Sequence, residues 1–536
     1  MSRQEENYLK YLKSDDRIGF TILFFRRKPM TKKWFFILLI VCLFLIFPDL
    51  SAKEAPQKKD TFIPKDPSVS VTQHVIRING KELRYTATAG YMVLKREDGK
   101  PRANVFYIAY TMDGVKDKSR RPVTFAFNGG PGSSSVWLHM GALGPKKVLM
   151  DDEGFSFPPP SRLEVNENTL LDVTDIVMID PVSTGYSRTE PGVNPREFHG
   201  VNEDVESVGE FIRLYITNNE RWASPKFVLG ESYGTTRAAG LSGFLQGRSL
   251  GMYLNGIILV SSVLDFQTIS FMPGNDLPYM LFLPTYAATA WYHKKLPADL
   301  QNKTLRDVLD EVEEFALNEY ALALLKGNDI PEGEKKEIIE KLSRYTGLTP
   351  GYVEKTNMRI ALFRFAKELL REEHLVVGRL DSRFKGQDAD SAGESYESDP
   401  SSYAILGPFA TTFKNYVRTE LKYKSELPYN IYGNVQPWNW SVGRGRTPNL
   451  SVAETLRQAM RDNQFLKVFC ANGYYDGATP YFGTEYTFAH IGLNNEFKDR
   501  VRMGYYEAGH MMYVHKASHQ KLKKDIAEFI QWASGK

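Results

Sequence analysis

Cysteine is almost absent from this sequence, which contains only Cys42 and Cys470 among its 536 residues. Cys42 falls in an apolar run near the N-terminus, so a chain that loses this run keeps one cysteine and forms no intramolecular disulfide. An exported protein of this size can fold without disulfides, because its hydrophobic core is large. Cys470 ends the apolar stretch QFLKVFC, which predicts a buried core position for its side chain.

An excess of charge is also lacking once the N-terminal segment is set aside. The whole chain has a formal net charge of +4, but residues 1–52 contain nine Lys or Arg and only five Asp or Glu. The remaining residues hold 59 of each sign and are formally neutral. Because polyanion-binding proteins need a basic surface, the composition argues against nucleic acid as a partner.

The sequence has no internal repeat, and its long apolar run lies near the N-terminus. The stretch MTKKWFFILLIVCLFLIFPDLSAKEAP starts at Met30 with two lysines, continues through about fourteen apolar residues and then reaches Ser51-Ala52. This pattern is typical of a secretory signal peptide. The run is shorter than the roughly 20 residues of a membrane span, although the bulky Leu50 leaves an uncleaved N-terminal anchor as the alternative.

We therefore predict that residues 1–52 contain a signal peptide. Residues 1–29 are interpreted as a spurious extension before it, with Met30 instead of Met1 as the true start. The mature protein is expected to be secreted or periplasmic, with no membrane contact after the signal is removed. Residues 53–68 are rich in lysine and proline, which predicts a flexible leader.

From residue 69 onward, the pattern predicts a mixed α/β core. Three strand-like segments come first, separated by Gly80 and by an Asp98-Gly99 turn, and these predict an antiparallel meander. Continuous apolar runs then alternate with helical segments; they are VTFAF, DIVMID, FVLG, GIILVSS and, much later, LKVFC. Such runs indicate a mostly parallel sheet that is covered by helices on both faces.

A change of pattern divides this core in two. Amphipathic helical segments such as LRDVLDEVEEFALNEYALALLKG fill much of residues 265–440, and the polar stretch DSRFKGQDADSAGESYESDPSS predicts an exposed loop. We interpret residues 265–440 as a mostly helical cap inserted between a first core segment, 69–264, and a last core segment, 441–536.

The segment GESYG, residues 230–234, predicts a nucleophilic serine. It follows the apolar FVL and precedes a helical stretch, which is the strand-turn-helix context of a nucleophile elbow with Ser232 at its tip. The turn is so tight that only glycine fits beside the serine. The alternative is a chance serine in a glycine-rich loop, and the strand and helix on either side favour the elbow.

A serine nucleophile needs a general base and an acid that orients it. His510 follows a strand-like segment in YYEAGHMMY, where a base is expected, whereas His515 and His519 are expected at the surface near the final helix. Asp476 follows the preceding core strand in VFCANGYYDGATP. Its alternative, Asp499, lies in a charged stretch, which predicts a solvated side chain. In the glycine-rich FNGGPGSSS, one backbone N–H could form an oxyanion hole together with the residue after the serine.

The motifs NGGPGSSS, DPVSTGYSRT, GESYG, NGYYDG and GHMM, in this order, closely resemble those of the serine carboxypeptidases. The resemblance extends over residues 70–536 and implies an α/β-hydrolase fold with a helical insertion. It also implies a peptide substrate, from which the enzyme removes single C-terminal residues through an acyl-enzyme without a metal or cofactor. This chain would be a secreted, disulfide-poor member of the family.

The resemblance implies a role for each matching residue. Ser232 corresponds to the nucleophile, His510 to the general base and then acid, and Asp476 to the orienting acid. The backbone N–H groups of Gly130 and Tyr233 correspond to the oxyanion hole.

Asn128, Gly129 and Glu231 fall where the family binds the terminal carboxylate of the substrate. The carboxyl group of Glu231 and the terminal carboxyl group of the substrate cannot both stay charged at such a short distance. One of them must therefore hold a proton and donate it to the other. The sequence departs from the family at two positions. Tyr513 replaces a proline, which bears on the pocket for the leaving residue, and Ala142 replaces a second glutamate of the carboxylate site. We therefore expect a higher pH optimum than is typical of the family, or a weaker demand for a free C-terminus.

Two other functions compete with a carboxypeptidase. An esterase or acyltransferase could use the same Ser232, Asp476 and His510, and the loss of the second glutamate keeps this alternative open. A catalytically silent binding protein with an inherited fold is disfavoured, because all three residues are present.

Overall fold

The computed structural model describes residues 69–535, apart from residues 79, 443–449 and 493–494. The predicted signal peptide and leader lie outside the described residues. Within the described ranges, no helix combines the length and the hydropathy that crossing a membrane requires.

The strands belong to one large sheet and two small ribbons. They are β1 (Ser70–Ile78), β2 (Lys81–Lys95), β3 (Pro101–Met112), β4 (Val123–Phe127), β5 (Lys146–Val148), β6 (Leu163–Val165), β7 (Asp175–Ile179), β8 (Arg188–Thr189), β9 (Lys226–Ser232), β10 (Gly256–Ser262), β11 (Leu375–Val377), β12 (Lys385–Gln387), β13 (Lys467–Gly473) and β14 (Val501–Tyr506).

The large sheet has the order β1-β2-β3-β7-β4-β9-β10-β13-β14, and β8 pairs with β3. Strands β1, β2 and β3 are antiparallel, as is the β3–β7 pair. From β7 to β14 all neighbours are parallel. Both the predicted antiparallel meander and the mostly parallel sheet are therefore confirmed.

The central strands carry continuous apolar runs because both faces of the sheet are covered. Phe227 and Leu229 of β9 belong to one buried cluster, and Val228 between them belongs to another on the opposite face. Successive side chains of a strand point to opposite faces, so each face needs its own apolar residues and the alternation of a half-exposed strand disappears.

The helices lie between and around these strands. They are α1 (Val201–Asn218), α2 (Tyr233–Gln246), α3 (Leu277–Tyr292), α4 (Ala298–Gln301), α5 (Leu305–Phe315), α6 (Ala321–Lys326), α7 (Glu332–Thr346), α8 (Pro350–Lys355), α9 (Leu362–Glu368), α10 (Pro400–Thr419), α11 (Ala453–Asp462), α12 (Tyr481–His490), α13 (Asn495–Lys498) and α14 (Lys516–Ala533). Two π-helical turns span Leu138–Leu143 and Ala316–Tyr320.

Helices α3 to α11 all fall between the neighbouring strands β10 and β13. Most of them share a buried apolar cluster of their own, in which Tyr286 of α3 stacks on Phe365 of α9 with ring centroids 4.1 Å apart. A separate core explains how so long an insertion can interrupt a parallel sheet. The predicted limits of this cap, 265 and 440, stay a prediction.

The polar segment 381–402 differs from the predicted exposed loop. Asp381 and Arg383 are buried and form an ion pair with an Nη2–Oδ2 distance of 2.7 Å. Asp381 also accepts a hydrogen bond of 2.9 Å from the backbone N–H of Gly509. The prediction was wrong for this part of the segment, because its charges are neutralised within the protein and not by water.

Candidate active site

Ser232 lies at the sharp turn between β9 and α2, with φ +61° and ψ −131°. A Cβ atom added at Gly230 would lie 2.0 Å from the carbonyl oxygen of Gly234. A Cβ atom at Gly234 would lie 2.8 Å from the carbonyl oxygen of Phe127. Only glycine fits at both positions, and the strained turn, which costs roughly 1–3 kcal/mol, brings the serine to the edge of the sheet.

Asp476 and His510 follow β13 and β14, which lie beyond β10 in the sheet as seen from β9. The Nδ1 atom of His510 lies 2.8 Å from Oδ2 of Asp476. Asp476 is fully buried, and its Oδ1 atom accepts hydrogen bonds from the backbone N–H groups of Ala478 and Thr479 at 2.8 and 2.9 Å. These donors fix the carboxylate, so that its other oxygen faces the imidazole.

The protonation of His510 reflects two opposing effects. Burial acts to lower the pKa of its imidazole, but the charge and hydrogen bond of Asp476 outweigh burial, and the pKa lies above its ordinary value of 6.5. Because Asp476 engages Nδ1, the other nitrogen, Nε2, is the one left to exchange a proton in the cavity.

The glycine-rich loop after β4 packs directly on the serine turn. A Cβ atom at Gly129 would lie 2.4 Å from the backbone nitrogen of Tyr233, so the close approach requires glycine. Gly130 has φ +107°, a conformation that glycine adopts without strain. The two predicted oxyanion-hole residues, Gly130 and Tyr233, therefore belong to segments in direct contact.

A buried ion pair supports this loop from behind, and the sequence analysis missed it. Nε of Arg237 donates a hydrogen bond of 2.7 Å to Oδ2 of Asp204, and Nη1 donates one of 2.8 Å to the carbonyl oxygen of Asn128. Burial raises the pKa of Asp204 while Arg237 opposes this rise. An arginine among small and apolar residues in TTRAAGLSG was the available signal, since a buried charge needs a partner.

Glu231 is buried beside the serine and hydrogen-bonded to Tyr513, whose phenol donates to Oε2 at 2.6 Å. Burial raises the pKa of Glu231 to about 7, although the positive charge of His510 and hydrogen bonds from Tyr513 and Asn128 act to lower it. Below that pH the carboxyl group holds a proton and can donate a hydrogen bond.

The two departures from the family pattern, Ala142 and Tyr513, lie in the same part of the structure, because the ring of Tyr513 packs on the turn that carries Ala142. Ala142 is buried on the π-helical turn, and a Cβ atom at the preceding Gly141 would lie 2.5 Å from Cε2 of Tyr513. The tyrosine ring thus needs small residues on this turn. The hydrogen-bond partner of Glu231 here is a neutral phenol, which adds no negative charge to the site.

These residues surround a cavity of about 280 Å³, which we call the active-site cavity. Its core wall consists of Asn128, Gly129, Gly130, Ser133, Trp137, Glu231, Ser232, Ala478, His510 and Met511. Its other wall consists of residues between β10 and β13, namely Phe363, Arg379, Leu380, Tyr396, Asp399, Ser402, Ile405 and Tyr432. The sequence analysis did not place the polar segment in this wall.

The remaining histidines differ in their surroundings. His490 is exposed at the end of α12. The prediction of a surface position was wrong for His519, which is buried with Nε2 3.1 Å from the carbonyl oxygen of Ala142. Burial lowers its pKa to about 3. The first turn of α14 packs on the π-helical turn Leu138–Leu143. No local sequence pattern predicts this contact. His515 is partly buried.

The mostly parallel sheet with helices on both faces, and a serine turn after a central strand, define an α/β-hydrolase. The family model for "Serine carboxypeptidase" matches residues 78–524. The chain therefore belongs to the serine carboxypeptidase family, as the resemblance of its motifs predicted.

Individual relatives match over shorter stretches. "Serine carboxypeptidase-like 20" from Arabidopsis thaliana is 26% identical over 195 residues, which cover 34% of this chain and 37% of that protein. "Pheromone-processing carboxypeptidase KEX1" from Saccharomyces cerevisiae is 28% identical over 159 residues, covering 27% of this chain and 20% of that protein. The chain thus spans well under half the length of the curated relatives it matches.

A solved structure supports the fold. The structure of KEX1(Δ)p, described as a prohormone-processing carboxypeptidase from Saccharomyces cerevisiae, has a TM-score of 0.51. It covers 83% of this chain and 91% of that chain at 14% identity. The predicted α/β-hydrolase fold is confirmed.

Proposed function

We propose that this protein is a serine carboxypeptidase that hydrolyses the C-terminal peptide bond of a peptide through an acyl-enzyme. The observation that supports the proposal most directly is the meeting of two kinds of group in one cavity. Ser232 and His510 supply the chemistry of acyl transfer, and the neighbouring Glu231 is a carboxyl group that can be protonated near neutral pH.

The proposed reaction begins when Oγ of Ser232 attacks the carbonyl carbon of the terminal peptide bond and gives its proton to Nε2 of His510. The backbone N–H groups of Gly130 and Tyr233 donate hydrogen bonds to the oxyanion. The C–N bond then breaks as His510 protonates the leaving amine. Water then attacks the acyl carbon while Nε2 of His510 takes its proton. The bond between the acyl carbon and Oγ of Ser232 breaks, His510 returns the proton to Oγ, and the shortened peptide is released.

In this proposal Glu231 and Asn128 select a free C-terminus. A protonated Glu231 donates a hydrogen bond to the substrate carboxylate, whereas an ionised Glu231 would repel it. Asn128 is held in place because its Oδ1 accepts a hydrogen bond of 3.0 Å from the backbone N–H of Leu138. The side-chain amide nitrogen of Asn128 then donates one hydrogen bond to Glu231, and its second N–H is proposed to bind the substrate carboxylate.

An esterase or acyltransferase is the second candidate, and Ala142 is the observation that favours it. A site with one carboxyl group instead of two would bind a free C-terminus less tightly. Tyr513 weakens this argument. Its phenol takes the place of the second carboxyl group as the partner of Glu231, so the site still holds a hydrogen-bond donor for Glu231.

We also propose that the enzyme works outside the cytoplasm on peptides that it meets after export, with the predicted signal peptide over residues 1–52 as the basis. The helical cap over residues 265–440 is proposed to set the preference for the departing residue, because it supplies one wall of the active-site cavity.

A comparison of matched substrates tests the activity. We expect the full chain to release the terminal residue of an N-blocked dipeptide, and to cleave the same dipeptide with an amidated C-terminus about 10- to 100-fold less efficiently in kcat/KM. The difference corresponds to losing a charge-assisted hydrogen bond. Equal cleavage of both, or cleavage of a simple ester alone, would favour the esterase.

Replacing Tyr513 by phenylalanine tests the role of Glu231. The phenol stabilises the ionised carboxylate, so its removal should raise the pKa of Glu231 above about 7. KM for the free dipeptide is expected to rise at alkaline pH as Glu231 ionises. In the variant, the pH at which this rise occurs should be about 0.5–1 unit higher. KM should be measured from pH 5 to 9, with a blocked amino-acid ester as the control substrate. A shift downward, or an equal shift for the ester, would contradict this role.

A further inference from the structure

We propose that Arg379 binds the carboxylate of the substrate's C-terminal residue, as the cationic member of a site with Glu231 and Asn128. The inference rests on the proposed function and deepens it, by assigning a recognition group that the resemblance to the family does not supply. It makes Arg379 a specificity-determining residue for substrates with a free C-terminus.

Arg379 lies on the segment between β11 and β12, in the wall of the active-site cavity that faces Glu231 and Ser232. Its side chain is half-buried. Burial raises the pKa of the neighbouring Tyr432 to about 12, and the charge of Arg379 acts against this rise. Burial and, more weakly, the charge of Arg379 act to lower the pKa of His510. The guanidinium group is therefore close enough to influence the catalytic base.

The guanidinium group of Arg379 has no hydrogen-bond or ion-pair partner among the described residues. The buried arginines nearby differ, since Arg383 is paired with Asp381 and Arg237 is paired with Asp204. An arginine presents a planar set of donors that matches a carboxylate. An unpaired guanidinium in the wall of a substrate cavity is a binding site for that group.

The backbone of Arg379 is tied to the catalytic loop. Asp399 accepts hydrogen bonds from the backbone N–H groups of Arg379 and Leu380 at 3.1 and 3.2 Å. The carbonyl oxygen of Leu380 accepts one of 2.6 Å from the backbone N–H of His510. The backbone from which the Arg379 side chain extends is thus held at a fixed place relative to the base.

Asp399 also lies in this wall, but its carboxylate is engaged elsewhere. Besides the two N–H groups above, it accepts hydrogen bonds from the backbone N–H and the hydroxyl of Ser401 at the start of α10. These donors and the positive end of the helix stabilise the charge of Asp399. The guanidinium of Arg379 is therefore free to bind the carboxylate of the substrate.

Glu231 and Arg379 can bind the substrate carboxylate over different ranges of pH. Glu231 donates a proton only while it is protonated, below about pH 7. Arginine stays protonated at every working pH, so Arg379 would hold the carboxylate after Glu231 has ionised. The other titratable or charged groups that share the cavity are His510, Asp399, Tyr396 and Tyr432. Of these, the two tyrosines stay neutral below pH 9 because burial raises their pKa.

The test uses the full chain, its Arg379→Gln and Arg379→Lys variants, and Arg364→Gln as a matched control. Arg364 is on the same insertion and pairs with Glu394 at the surface, outside the wall of the cavity. KM and kcat are measured for an N-blocked dipeptide and for an N-blocked amino-acid ester, which has no carboxylate, at pH 6 and pH 8.

We expect Arg379→Gln to raise KM for the dipeptide about 10- to 100-fold, with more at pH 8 than at pH 6, and to change kcat less than about threefold. KM for the ester should rise much less than KM for the dipeptide, because the ester has no carboxylate, and continued hydrolysis of the ester shows that the variant is folded. Arg379→Lys should recover part of the loss, and Arg364→Gln should match the unaltered protein.

An unchanged KM for the dipeptide in Arg379→Gln would overturn the proposal, and so would an equal rise for dipeptide and ester. In both cases the proposed carboxypeptidase function would still stand, provided that the unaltered protein prefers the free acid over the amide. If the unaltered protein fails to prefer the free acid over the amide, the proposed function itself fails, and this inference fails with it.

Discussion

Replacing Ser232 by alanine is expected to lower kcat for the blocked dipeptide by about 10⁴- to 10⁶-fold. The variant loses the atom that attacks the carbonyl carbon, and alanine supplies no nucleophile in its place. Any residual rate would come from the oxyanion hole and from substrate binding. The fold should survive, because alanine meets the same backbone strain at φ +61° as serine does.

The measurement is single-turnover release of the terminal residue, together with covalent labelling by an active-site phosphonate. Ser249→Ala is the matched control, since Ser249 is exposed just after α2, the helix that begins next to Ser232. A Ser232→Ala variant that keeps more than about one hundredth of the activity, or that still takes up the label, would exclude Ser232 as the nucleophile.

Replacing Asp476 by asparagine should lower kcat by about 10⁴-fold. The backbone N–H groups of Ala478 and Thr479 both donate to Oδ1, so the amide oxygen of asparagine must take that position. Its NH₂ group then faces Nδ1 of His510 and donates to it. The imidazole would therefore carry its proton on Nε2, where it cannot accept one from Ser232.

The loss should appear in kcat for dipeptide and ester alike, because both reactions need the same base. Asp499→Asn is the control, since Asp499 is the alternative acid of the sequence and is exposed. A loss of less than about tenfold in Asp476→Asn, or a larger loss in Asp499→Asn, would mean that another group orients His510.

Local patterns in the sequence were sufficient for the parts of the fold that depend on neighbours in the chain. The meander follows from alternating segments and turns, and the serine turn follows from an apolar run, two glycines and a helical stretch. The order of Ser232, Asp476 and His510 along the chain also follows, because each comes directly after a predicted core strand. The roles of these three residues stay a prediction.

Contacts between distant segments were not accessible in the same way. The hydrogen bond from Tyr513 to Glu231 and the support of Asn128 by Arg237 depend on how strands and helices pack. The buried position of His519 depends on the docking of α14 against a turn far away in the chain. A single sequence carries no periodic signal for such contacts, since each involves one side chain and one specific neighbour.

The long insertion between β10 and β13 also sets the order in which the site is synthesised. A ribosome completes the serine turn first, then the whole insertion, and only afterwards the strands that carry Asp476 and His510. Because β13 and β14 must dock beside β10 before the base meets the serine, a nascent or prematurely terminated chain has no working nucleophile. The topology thus delays assembly of the complete site until translation has passed β14.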